Sequence, residues 1–188
     1  MDYYEDINFK HQKFDKERLP AGEYENCSFS DCVFSKANLS NHRFSTCSFN
    51  NCDLSMAELK STVIRDVNFK DCKMLGLRFD ECSSFIITMN FENCTLNFSS
   101  FFKLKLKKII FKNCSLQEVD FVETNLTAAS FENSNLLRAV FANSILEQAD
   151  FRTAYNFSID PENNKMTKAK FSAQALAGLL DKYNLDIR

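Results

Sequence analysis

Large apolar side chains return every fifth residue along almost the whole chain, and very few folds can use that spacing. The series runs Phe9, Phe14, Leu19, Tyr24, Phe29 and so on to Phe79, takes one seven-residue step to Ile86, and continues at fives to Phe151. A period of five fits neither the 3.6 of a helix nor the 2 of a strand. A repeat this long instead implies a solenoid, in which each unit buries its apolar face only against its neighbours.

A second register runs in phase with the first. Two positions before each large residue stands a small one, among them Cys27, Cys32, Ala37, Cys47, Cys52, Ala57, Thr62, Cys72, Cys94, Ser99, Cys114 and Thr124. Every fourth centre, with the two-residue insertion near 82–86 allowed for, gives Phe9, Phe29, Phe49, Phe69, Phe91, Phe111, Phe131 and Phe151, all phenylalanine. That uniformity points to coils of about twenty residues with stacked identical sides. The chain has only 3 Gly and 2 Pro, too few to build many hairpins. The corners are therefore expected to use ordinary residues in ordinary backbone regions.

The units ANLSN (37–41), AELKS (57–61), TNLTA (124–128) and ADFRT (149–153) resemble the A(D/N)LXX signature of the pentapeptide-repeat family. The resemblance implies an all-β solenoid, a right-handed quadrilateral β-helix of about seven coils of four pentapeptides, with a short C-terminal α-helix. Residues 1–21 read as an irregular N-terminal coil or cap, because Gln12 and Glu17 fall on inward positions. Residues 22–154 form the β-helix, and 155–188 form a connection followed by a helix.

In that helix, Ser172 suits the N-cap. Leu176, Leu179, Leu180 and Tyr183 share one face at helical spacing. The face reads either as a lid on the open end of the coil or as a pairing surface for a second copy. The chain is similar to the Qnr branch in repeat, size and an Ile159, Asp160, Pro161, Asn163 segment. That likeness implies a homodimer through this helix.

The eight Cys do not read as a metal or disulfide framework. The C-x4-C pairs Cys27/Cys32 and Cys47/Cys52 follow the repeat, and Cys32, Cys52, Cys72, Cys94 and Cys114 would stack as a column of small inward thiols. His42 falls on an inward position, His11 lies in the first coil, and no carboxylate or Gly-rich loop accompanies either. No nucleophile–base pair is readable, so neither an enzyme, a cofactor nor a metal is expected. The formal charge of −2 gives no drive toward direct nucleic-acid binding, and no run is long enough to span a membrane. The N-terminus lacks a signal-peptide pattern, so a cytoplasmic protein is expected.

One stretch stands out. In the repeat register Leu75, Phe85, Ile87, Phe98 and Phe102 point outward, next to Lys103, Lys105, Lys107 and Lys108. Exposed aromatics beside a basic run read as a docking patch for a protein partner. The alternative, implied by the Qnr resemblance, is a DNA mimic that binds DNA gyrase or topoisomerase IV and protects against quinolones. A mimic needs a line of carboxylates along one face. Outward positions here mix Asp31, Asp71, Glu92, Glu132 and Asp150 with Lys10, Lys70, Lys112 and Arg152. Outward Asn51, Asn93, Asn113 and Asn133 read as a hydrated, unspecific side.

Overall fold

The computed structural model describes residues 1–83 and 87–186. The chain winds into square coils, each side one pentapeptide long, and every coil pairs in parallel with the next. Nine short strands mark two adjacent sides. On the first side lie β1 (Asp2–Glu5), β3 (Gly22–Glu25) and β5 (Arg43–Ser45). On the second lie β2 (Asn8–Lys10), β4 (Ser28–Ser30), β6 (Ser48–Asn50) and, further up, β9 (Phe111–Lys112). β7 (Val63–Lys70) and β8 (Ile87–Glu92) run across both sides. The third and fourth sides touch their neighbours through single parallel bridges such as Val33 to Asp53 and Asn38 to Glu58.

The core is a set of ring and aliphatic columns. From Phe9 to Phe171 the second-side phenylalanines stack face to face, with ring centres 4.6–5.3 Å apart. That spacing is set by the backbone separation of paired strands, about 4.8 Å. Neighbouring columns meet edge to face, as Phe101 and Phe111 do at 78°. The phenylalanine column takes eight steps, slightly more than the seven coils expected, because Phe171 adds a further rung over Phe151. Phe29, Phe91, Phe111 and Phe131 are fully buried, and each contributes roughly 1.5–3 kcal/mol.

Four expectations need correction. The corners do use ordinary residues, but not ordinary backbone. Two positions after most centres the chain enters the left-handed region, as at Asn26 (φ 52°), Asp31 (55°), Lys36 (58°), Glu118 (55°) and Ala128 (57°). Only Gly76 (φ 64°) meets this requirement as glycine. A left-handed residue costs on the order of 1–2 kcal/mol when it bears a Cβ. Pairing with the coil above offsets this, since the corner amide donates to it, as Asp31 does to the Asn50 carbonyl at 3.0 Å.

The first coil is not irregular on its first two sides. β1 and β2 pair in register with β3 and β4, and Gln12 and Glu17 are exposed. At the insertion Ile87, expected to point outward, takes an inward place, because β8 pairs Ile87 with Ile64 and Ile87 is buried. Ile86 itself lies outside the described residues.

The C-terminal segment forms two short 3-10 helices, Ala173–Leu179 and Asp181–Tyr183, and not an α-helix. The Ser172 side chain makes no capping bond. Gly178 permits the helix to dock: a Cβ there would meet the Phe157 carbonyl oxygen at 2.3 Å, and the Ile159 amide donates to the Gly178 carbonyl at 2.9 Å.

Candidate functional site

In a square coil five residues advance the chain by one side and turn it by about 90°. Residues close in sequence therefore face different directions, and the patch expected between residues 75 and 108 is not one surface. Leu75 follows the third-side centre Met74, and Phe98 stands at the corner between the third and fourth sides. Phe102 follows the fourth-side centre Phe101, and Lys103 occupies the next corner. Lys105 and Lys107 flank Leu106 on the first side, and Lys108 is the corner beyond it. Ile87 is buried within β8 and offers no outward surface, since the insertion moves it onto the central position. Phe85 lies outside the described residues.

The third–fourth corner is the apolar part. Phe98 is 59% exposed with φ 64°, and Met56, two coils below, is 58% exposed with φ 58°. Gly76 stands between them, and a Cβ on it would lie 2.6 Å from the Met56 sulfur, so the thioether fills the space a side chain would take. Leu75 is half-buried beside this corner. Met56 belongs to the surface but escaped the sequence reading. Counting two residues beyond each centre would have found it.

Around the corner Phe102 is half-buried, with the Lys103 ammonium 4.6 Å above its ring. Lys103 also pairs with Glu123 at 3.5 Å.

Part of the surface charge is paired from coil to coil along the rod axis. Glu92 lies between Lys70 (4.0 Å) and Lys112 (3.5 Å), Glu118 pairs with Arg138 (3.6 Å), and Asp53 with Lys73 (3.8 Å). Arg152 holds the Asp150 carboxyl below its usual range, and at Asp80, where burial pushes the carboxyl up, hydrogen bonds from Arg78 and Ser100 outweigh it and bring it below that range. Exposed pairs of this kind stabilise by at most about 1 kcal/mol each. Their consequence is electrostatic: the acids alternate with bases and form no continuous acidic line.

The inward thiols are structural. Cys47, Cys52, Cys72 and Cys94 donate to the carbonyls of Tyr24, Phe29, Phe49 and Phe69 one coil below, at 3.3–3.4 Å. All eight Cys are free and buried. Burial pushes Cys47 and Cys114 up to about 11, so they remain protonated and poor nucleophiles at neutral pH. Thr124 and Ser144 make the same inward bond with hydroxyls, to Phe101 and Phe121 at 2.8 Å. His42 fills an equivalent slot, its ring nitrogens facing the Ser40 and Leu19 carbonyls. Among the described residues no group of three His, Cys, Asp or Glu could hold a metal. No helix there is long and apolar enough to cross a membrane.

The outward asparagines form a ladder rather than a loose hydrated row. Asn93 donates to Asp71 (2.8 Å), Asn113 to Asn93 (3.0 Å), and Asn133 to Asn113 (3.2 Å) along one corner. At the far end, Leu176 (45% exposed), Leu180 and Tyr183 face solvent, while Leu179 packs on the core. Lys182 bridges Asp160 (2.7 Å) and Glu162 (2.6 Å), fixing this segment to the last coil.

Comparison with known proteins agrees with this architecture. Family models described as a pentapeptide repeat region match residues 18–82 and 42–121, and one described as pentapeptide repeats (8 copies) matches 120–155. No curated protein matches the chain. Among solved structures, HetL, a pentapeptide repeat protein involved in heterocyst differentiation regulation from the cyanobacterium Nostoc sp. strain PCC 7120, is 15% identical. The match covers 90% of this chain and 86% of HetL, with a TM-score of 0.52. QnrB1, a plasmid-mediated fluoroquinolone resistance protein, is 20% identical over 100% of both chains, with a TM-score of 0.46. At these identities the likeness concerns the fold alone.

Proposed function

The chain belongs to the pentapeptide-repeat family, and from that premise we propose that it is a non-enzymatic docking rod that holds a protein partner at the corner of Met56, Gly76 and Phe98. The observation that carries this reading is Phe98. A bulky residue in the left-handed region costs on the order of 1–3 kcal/mol. Its ring is 59% exposed and recovers little of that cost by burial. The Phe98 amide donates to the Gln117 carbonyl at 3.0 Å, as at other corners, so what a partner accounts for is the large ring left exposed where most other corners carry polar side chains. Leu75 extends the same surface, and Phe102 with Lys103 borders it around the fourth side.

A Qnr-like role on DNA gyrase or topoisomerase IV remains the alternative partner identity, and it rests on family resemblance. Mimicry of duplex DNA calls for an acid array, and the alternating ion pairs along this rod do not supply one. Pairing of two copies through Leu176, Leu180 and Tyr183 is compatible with either partner.

The test replaces Phe98 and Phe102 together with Ser. The variant should keep the circular dichroism of the β-helix and lose a partner that the unaltered protein retains on a column. Equal retention by both proteins would sink the proposal. A photo-crosslinker at position 98 should label that partner, and one at position 113, on the asparagine ladder, should not.

A further inference from the structure

Among the described residues, the first side of the rod, away from the Phe98 corner, gathers four cations without a carboxylate partner around one stretch, whereas other unpaired cations such as Lys10, Lys13 and Lys60 lie singly on the remaining sides. Lys70, Lys73, Arg78, Lys103, Lys112, Arg138 and Arg152 all pair with carboxylates. Among the described residues Arg65, Lys105, Lys107 and Lys108 pair with none, and all four are exposed. Lys107 and Lys108 border a shallow recess of about 220 Å³ floored by Leu106 and Ile109, with Thr88 and Asn90 at its rim. The one carboxylate there, Asp66, is engaged by Thr88, whose hydroxyl donates to it at 2.9 Å and accepts from its amide at 2.7 Å.

The order of residues along this side limits what could cover it. Those following successive centres read Glu25, Ser45, Arg65, Thr88, Lys107, Thr127 and Glu147. The band is acid at both ends, hydroxyl inside those ends, and basic in the middle. At about 4.8 Å per coil, Ser45 to Thr127 spans roughly 20 Å, the length of about six extended residues.

A DNA duplex carries a charge every 1.7 Å or so and would continue past both ends, laying phosphates over Glu25 and Glu147. Among the described residues the band between Ser45 and Thr127 also offers no exposed aromatic ring for base stacking.

We infer that the first side, through Arg65, Lys105, Lys107 and Lys108, is a docking surface for a short acidic segment of a protein. It is a second surface, separate from the Phe98 corner, so one rod can hold two chains at once or grip one partner on opposite sides. Charge complementarity of this kind acts mainly on encounter rate and specificity and weakens as salt rises.

The test measures anisotropy of fluorescein-labelled hexaglutamate with the intact protein, with Lys105→Glu/Lys107→Glu/Lys108→Glu, and with Lys10→Glu/Lys13→Glu/Lys60→Glu. The second triple variant makes the same change in net charge on other sides. Binding should saturate at low salt, weaken about tenfold or more in the first variant, and stay within about threefold in the second. Phe98→Ser should bind hexaglutamate as the unaltered protein does, which separates this surface from the other. Absence of binding at low salt would overturn the inference. So would equal losses in both triple variants, or a short DNA duplex binding more tightly than the peptide.

Discussion

The coils between residues 22 and 112 and those between 113 and 154 bury the same kind of core, yet they turn their corners differently. In the earlier coils the first side as far as β8 and the second as far as β9 are strands whose corners lack a closing bond, until the Ile109 amide closes the first-side corner after Leu106 (3.4 Å). In the later coils nearly every corner is a closed turn, as where the Ala129 amide donates to the Leu126 carbonyl (3.0 Å) and Ser134 to Phe131 (3.2 Å). The difference lies in residues that flank the central ones.

At several closed corners an Asn or Asp just before the centre accepts the amide two residues on, although Ser130 and Ile145 stand there at others. Asn125 does so for Thr127 (3.1 Å), Asp120 for Val122 (2.8 Å) and Asp150 for Arg152 (3.1 Å). At open corners that position holds Ser28, Ser48, Asn68 or Asn90, and an Asn or Asp stands at the corner itself, as at Asn26, Asp31, Asn51 and Asn93. These residues enter the left-handed region more readily than most. Small inward Cys follows most open corners, and Ala, Ser or Thr follows most closed ones. The centre supplies stability, and its neighbours choose the corner.

Several measurements can break or sharpen that contrast. Phe91→Ala in the strand coils and Phe131→Ala in the turn coils should each cost about 3–5 kcal/mol in urea unfolding. A gap between them well above 1 kcal/mol would show that the corner type sets the core energetics after all.

Alkaline pH should act mainly on the cysteine-bearing coils. Cys47 and Cys114 ionise near 9.0 when unfolded and at about 11 when folded, so the folded state holds more protons between these values. Their stabilisation is complete below pH 9.0 and is lost as pH rises toward 11. Denaturant midpoints should fall over that window, and less steeply in Cys47→Ala/Cys114→Ala.

Asn125→Ala, which strands the Thr127 amide, should cost about 1 kcal/mol. Ser48→Ala on an open side should change stability by less than about 0.5 kcal/mol. The smallest effect is expected at the corners: Ala128→Gly should stabilise by a few tenths of a kcal/mol.

The repeat made the coil, its four sides and its core legible without coordinates, because a five-residue period of large and small residues has few other solutions. The left-handed corners were not legible. Scarcity of glycine argued against them, and only the pairing of one coil with the next explains why Lys36 or Glu118 tolerates such a backbone. Ile87 was misplaced because a two-residue insertion can shift the centre by more than its own length before the register returns. Phe98 and Phe102 were found by counting outward positions. Their separation from Lys105, Lys107 and Lys108 was not found, because adjacency in sequence becomes a quarter turn at each corner.

The central claim is that Phe98 serves a partner and not the fold, and equilibrium urea unfolding of Phe98→Asn tests it directly. Asparagine keeps the corner and lowers the left-handed cost, so stability should hold or rise by about 0.5–1 kcal/mol. A loss of more than about 1 kcal/mol would make Phe98 a structural residue and contradict the account.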